Sequence, residues 1–251
     1  MIRRGKIRRK SFTFKKDENI FDTVEKIIFQ SLKFLGILLL LLVGSGIFRI
    51  VLEILGFDVE SMNSFVKILL SFCFDLLLLF LFCLIYHKTI KKDFTDYFLH
   101  DFKSHFEKSF KFWMIGIGLM ILGNLIVIFF TRGNTISANE EVVREMMDKY
   151  PIYMLFQISI YAPITEELVF RKGIKDITHH KYLYIFLSGF IFGFLHVLSS
   201  VNQSMWFLYL IPYCSLGFLF AFLYYDTDNI FYTIVIHSLH NILSYILHFI
   251  L

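Results

Sequence analysis

Seven stretches of the chain are apolar enough and long enough to cross a bilayer, near residues 34–55, 67–86, 112–130, 152–172, 182–199, 205–225 and 229–250. A crossing needs about 20 apolar residues at a rise of 1.5 Å each, which these runs supply. Two further stretches are amphipathic. From Asp93 to Trp113, Phe94, Phe98, Phe102, Phe106 and Phe110 recur every fourth residue, and Asp96, Lys103 and Lys111 take other faces. This predicts a helix lying on the cytoplasmic membrane surface. Ser137-Ala-Asn-Glu140 has capping-box spacing, and Val142, Val143, Met146, Met147 and Tyr150 then follow with helical period until Pro151 ends the run. That short helix would pack on the bundle and could roof a cavity. The fold class expected is an all-α polytopic membrane helix bundle with about seven transmembrane helices plus an interfacial amphipathic helix. No internal repeat or low-complexity linker divides it, so residues 1–251 read as one membrane-embedded domain with a basic segment at 1–31.

Composition agrees, since 57% of residues are hydrophobic, with 32 Phe and only three Pro, which excludes an ordinary soluble domain. Charge matters by position. Arg3, Arg4, Lys6, Arg8, Arg9, Lys10, Lys15 and Lys16 crowd the N-terminus, and Lys88, Lys91, Lys92, Lys103, Lys108 and Lys111 follow the second span. The loop near 57–64 carries Asp58 and Glu60 and no base, so the positive-inside bias puts the N-terminus in the cytoplasm and the C-terminus outside. Ahead of an apolar span, the basic tail marks topology rather than a nucleic-acid partner. The first apolar run starts near Leu32, is as long as a span and lacks a small-residue cleavage site, so it is expected to stay in the membrane. Cys73, Cys83 and Cys214 all fall in apolar segments without a CxxC pair, which indicates core packing and no disulfide frame.

Ionisable groups inside spans each cost roughly 2.5 to 3.5 kcal/mol, so each needs a partner or a function. Arg49 and Asp75 would lie at similar depth if the chain turns near Met62, which predicts an interhelical ion pair. The densest cluster lies in residues 161–197. On the fourth span Glu167 and Arg171 are four apart and share a helix face, the spacing of a carboxylate–guanidinium pair. Glu166 points about 100° away and is left free to face a cavity as a proton acceptor.

The fifth span supplies His196, with Gly189, Phe192 and Gly193 on the same side, where small residues admit a neighbouring helix. In the seventh, His237, Asn241, Ser244 and His248 form a polar stripe with His240 beside it, as expected where a helix lines a bundle interior or hydrated cavity. With turns near 179–181 and 226–229, Glu166 and His196 fall about 20 Å deep and His237 about 12 to 15 Å. Glu166, His196, His237 and Asn241 can thus be brought to one depth, whereas His240 and His248 read as cross-links.

Glu166-Glu167-Leu-Val-Phe-Arg171, Phe192-Gly-Phe-Leu-His196 and His237-Ser-Leu-His-Asn241 resemble the EExxxR, FxxxH and HxxxN motifs of the CPBP family of intramembrane proteases. That family contains the CAAX prenyl endopeptidases of the Rce1 type and bacterial proteins described as bacteriocin-processing or self-immunity enzymes. The motifs occur in order, each in its own span, within residues 152–245. The resemblance implies a helical fold with a conical cavity open toward the cytoplasm and peptide hydrolysis by an activated water. It gives Glu166 the water, assisted by His196, and gives His237 and Asn241 the oxyanion, with Glu167 and Arg171 in support. The alternative that the residues leave open is a zinc site on Glu166, His196 and His237, although no HExxH is present. Seven spans are fewer than the eukaryotic prenyl endopeptidase has, which points to a multi-pass protein of a bacterial cell membrane.

The function expected is an intramembrane endopeptidase acting on a peptide or membrane-protein substrate within the lipid bilayer. A non-catalytic membrane adaptor or immunity protein that binds a peptide or sensor kinase is the competing class. Substrate identity, cleavage site and oligomeric state are not encoded in these patterns.

Overall fold

The computed structural model describes residues 20–99, 102–133, 136–178 and 180–250, and every regular element among them is helical. The basic N-terminal residues through Lys16, the side chains of Phe98 and Phe102, and His179 lie outside the described residues. The chain runs through α1 (Ile20–Ile54), α2 (Ser64–Ile85), α3 (His87–Leu99), α4 (Phe102–Thr131) and the short α5 (Ala138–Lys149). A segmented rod comes next. Its pieces are α6 (Pro151–Phe156), a π turn at Gln157–Tyr161, α7 (Ala162–Glu166), a second π segment at Glu167–Gly173, and α8 (Ile174–Ile177). It is followed by α9 (Lys181–Val197), α10 (Leu210–Thr227) and α11 (Ile230–Ile250).

Six single helices among the described residues are long and apolar enough to cross a membrane, and they lie in α1, α2, α4, α9, α10 and α11. The protein is therefore a multi-pass integral membrane protein. The remaining apolar stretch, 152–172, is the segmented rod. Its junction residues Gln157, Ala162, Glu167 and Ile174 all keep right-handed helical angles, so the rod continues through its π segments.

Two expectations change. Arg49 and Asp75 do not pair: Arg49 binds Glu53 and Glu60, while Asp75 accepts hydrogen bonds from Tyr153, at 2.8 Å, and Gln157. The reason is depth. α1 ends at Ile54 and α2 starts at Ser64, so Arg49 is five residues from its helix end and Asp75 eleven from its own, a mismatch of about 9 Å at 1.5 Å per residue. The amphipathic stretch from Asp93 to Trp113 is shared between α3 and the start of α4. Its aromatic side chains find partners on α11, with Phe94 5.6 Å from Phe231, Tyr97 4.8 Å from Tyr232 and Trp113 6.5 Å from His240, ring to ring. They pack on the bundle as well as facing the surface.

The tightest seam joins α9 to α10. A Cβ added at Gly189 would come within 2.7 Å of the Phe218 backbone nitrogen, and one at Gly193 within 2.8 Å of that of Cys214. The small residues let the two backbones meet, which fixes the helix that carries His196. At the opposite end of the bundle, buried Asp93 closes the start of α11, accepting the Ile230 N–H at 3.0 Å while Asn229 donates to its carbonyl at 2.7 Å.

Candidate active site

The rod places its two carboxylates on either side of a change in helical register. Glu166 is the last residue of α7, and Glu167 the first of the second π segment. Glu167 and Arg171 are both fully buried, with Arg171 Nε 3.0 Å from Glu167 Oε2. The guanidinium is held further by Ser188 Oγ at 3.1 Å and lies over the Phe192 ring at 4.6 Å. Both charges are thus spent inside the protein.

Glu167 also orients an imidazole. His237 Nδ1 is 2.9 Å from Glu167 Oε1, and since a carboxylate paired with arginine can only accept, Nδ1 carries the proton. His196 Nδ1 likewise donates to the Phe192 carbonyl at 2.8 Å. Each ring therefore turns its Nε2 toward the remaining carboxylate. Glu166 Oε1 lies 3.9 Å from His196 Nε2, and its Oε2 lies 3.7 Å from His237 Nε2. These gaps exceed a direct hydrogen bond and suit one bridging water, which can donate a proton to a carboxylate oxygen and another to an unprotonated Nε2.

Zinc would need each ligand atom about 2 Å away. Among the described residues no group of three or more His, Cys, Asp or Glu side chains is arranged to hold a metal ion.

Asn241 sits one turn beyond His237 and donates its side-chain amide to the Ile158 carbonyl at 2.9 Å. The first π turn explains why that carbonyl is free. Ala162 N–H donates five residues back to Gln157, and the next donor in that register would be residue 163, which is a proline. Pro163 has no N–H, so Asn241 supplies one.

Of the sequence-derived residues, Glu166, Glu167, Arg171, His196 and His237 thus converge directly, and Asn241 joins them through the rod's backbone. His240 and His248 stay out of the cluster, accepting from Trp113 Nε1 at 3.4 Å and lying 2.8 Å from Asp148 Oδ1 respectively. Phe192, the first residue of the FxxxH motif, and three residues outside the motifs complete the surroundings. Ser188 positions Arg171; Phe192 touches Arg171, His196 and Phe170; Phe220 stacks on His237 at 4.8 Å; and Tyr213 stacks on His196 at 5.5 Å. Of the three outside the motifs, only Ser188 carries a sequence signal, a serine hydroxyl four residues before Phe192 on the same helix face.

Beside the cluster lies a cavity of about 420 Å³ between α4, α5, α10 and α11. Its walls mix Met120, Met147, Leu216 and Leu247 with Asn124, Glu140, Arg144, His240 and Ser244. Tyr213 is shared, lining the cavity while its ring stacks on His196.

Residues 148–243, which include all three motifs, match the family model described as "Type II CAAX prenyl endopeptidase Rce1-like". The chain is 32% identical over 108 residues to a Bacillus subtilis protein named putative membrane peptidase YdiL, covering 42% of this chain and 41% of that one. It is 26% identical over 136 residues to UPF0177 protein YxdF of Lactococcus lactis, covering 52% of this chain and 73% of that one. The chain thus spans about two fifths of the length of the Bacillus relative. No solved structure matches it.

Proposed function

We propose, from the match of residues 148–243 to the Rce1-like CAAX endopeptidase family model, that the protein is an intramembrane endopeptidase whose Glu166 activates water. The observation that carries this reading is the pair of gaps, 3.9 and 3.7 Å, between the Glu166 oxygens and two imidazole nitrogens that can turn nowhere else. Glu166 takes a proton from the bridging water as its oxygen adds to the scissile carbonyl, and His196 Nε2 accepts the other proton in a hydrogen bond that aims the attack. The oxyanion that forms meets Asn241, whose amide has one N–H left beyond the one on Ile158. His237 adds a second donor when its ring is an imidazolium, with Glu167 holding the opposite N–H. As the C–N bond breaks, Glu166 returns its proton to the leaving amine. One water is consumed, leaving a carboxylic acid and an amine, and the acid's proton then passes to the amine to give carboxylate and ammonium.

The substrate class is a peptide or membrane-protein segment, and bacterial peptide processing or bacteriocin self-immunity is the context that the motifs favour. Comparing the membrane peptidomes of cells that carry the native chain and Glu166→Gln tests the reading. Fragments that disappear in the variant at equal protein abundance support the protease. Identical peptidomes with retained phenotype support the non-catalytic adaptor.

A further inference from the structure

Asp75, buried midway along α2, belongs neither to the cluster nor, among the described residues, to any ion pair. A carboxylate is costly at that depth of a span, so the donors that hold it matter. Both meet one oxygen. Tyr153 Oη donates to Asp75 Oδ2 at 2.8 Å and Gln157 Nε2 donates to the same atom, while the other Gln157 N–H reaches Tyr153 Oη at 2.8 Å. The three side chains close a ring, and the neighbouring Phe72 and Phe156 rings meet edge to face at 4.8 Å.

Tyr153 alone would tether α2 to the rod. Gln157 does more, because it is the first residue of the π turn and its carbonyl accepts the Ala162 N–H from five residues on. In the ordinary α register that N–H would go to the Ile158 carbonyl instead. The Ile158 carbonyl is the one that Asn241 holds from α11 at 2.9 Å. Consecutive residues of the turn are thus gripped from two neighbouring helices, the Gln157 side chain by α2 and the Ile158 carbonyl by α11. If the turn slid to the α register, Ala162 would take the Ile158 carbonyl from Asn241, and the rod beyond it, Glu166 included, would rotate by about 100°.

We propose that Asp75 is a positioning residue for the hydrolytic site: through Gln157 it holds the first π turn in register, and so fixes the amide of Asn241 and the facing of Glu166. The site then depends on α2, which lies outside the residues 148–243 that match the family model. The proposal rests on the hydrolase reading for what Asn241 and Glu166 do, and on hydrogen-bond geometry for how they are placed.

Two readouts test it on the full chain in detergent micelles. Asp75→Leu accepts no hydrogen bond, whereas the carbonyl of Asp75→Asn still accepts from Tyr153 and Gln157. Gln157→Met leaves Tyr153 on Asp75 and removes only the link to the turn; it should reproduce the effects of Asp75→Leu, and it carries the test if that variant does not reach the membrane. The first readout is the side-chain amide signal of Asn241 in protein labelled with nitrogen-15 asparagine, identified by its disappearance in Asn241→Ala. It should move in Asp75→Leu and Gln157→Met and keep its native position in Asp75→Asn; a signal unmoved in Asp75→Leu and Gln157→Met overturns the proposal. The second is cleavage of a mixed pool of internally quenched peptides at limiting and saturating concentration. Asp75→Leu should lower the saturated rate on the order of 100-fold, the scale of small misplacements remote from the reacting atoms, with KM little changed and with the rate restored in Asp75→Asn. Because either grip lost releases the register, Asp75→Leu should add little in an Asn241→Ala background. A native saturated rate in Asp75→Leu, or a full second loss in the double variant, overturns the proposal. A native chain that cleaves nothing counts against the hydrolase itself, while the Asn241 signal still decides the placement.

Discussion

Asn241 and Pro163 are coupled without touching in sequence or sharing a motif: the proline withholds an N–H from the π turn, and the asparagine amide fills the place at 2.9 Å from Ile158. Asn241→Ala should leave that carbonyl without a donor, costing about 1 to 3 kcal/mol of stability as well as removing a group from the site. Adding Pro163→Ala restores a backbone N–H. Thermal unfolding in detergent should then recover in the double variant while peptide cleavage stays lost. Equal melting temperatures for the single and double variants would show that the proline does not set the position of Asn241.

Arg171 and Glu166 should fail differently. Arg171→Ala strands the fully buried Glu167, a loss on the order of 3 to 5 kcal/mol, and also releases the orientation of His237. Glu166, whose side chain is 18% exposed and bonded to no arginine, should accept Ala or Gln with normal abundance. Membrane levels and detergent melting curves separate the two. Equal loss in both would contradict the division between a supporting and a reacting carboxylate.

Asp93 gives a pH dependence outside the spans. Burial lifts its carboxyl above the ordinary 3.8, against the opposing pull of the Ile230 N–H. The native state then holds the proton more tightly than the unfolded chain, so this group's contribution is greatest below pH 3.8 and falls as pH rises through the lifted value. Asp93→Asn keeps a cap acceptor for Ile230 and should flatten that part of the melting-temperature profile. A profile unchanged by the substitution would assign the slope to other groups.

Much of this architecture was legible in the chain because membranes impose simple rules. Apolar run length located the crossings, glycine spacing identified the α9 face that meets α10, and four-residue spacing paired Glu167 with Arg171. Other features depended on where helices stop. The expected Arg49–Asp75 pair failed because the helices end at Ile54 and restart at Ser64, which moves each charge relative to the other. The π segments were hidden because helical periodicity does not report one added residue per turn, and Pro163 was the only local sign. Phe220 and Tyr213 look like core residues in sequence, and only the approach of α10 to α9 and α11 makes them the walls of His237 and His196.

The central claim is that Glu166 delivers water to a peptide bond. Membranes bearing the native chain or Glu166→Gln can be incubated in water enriched in oxygen-18 and the new peptides sequenced by mass spectrometry. The native chain should yield fragments whose new C-terminal carboxylates carry the heavy oxygen at cut sites missing from the variant. The same labelled fragments in equal amount from both membranes would contradict it.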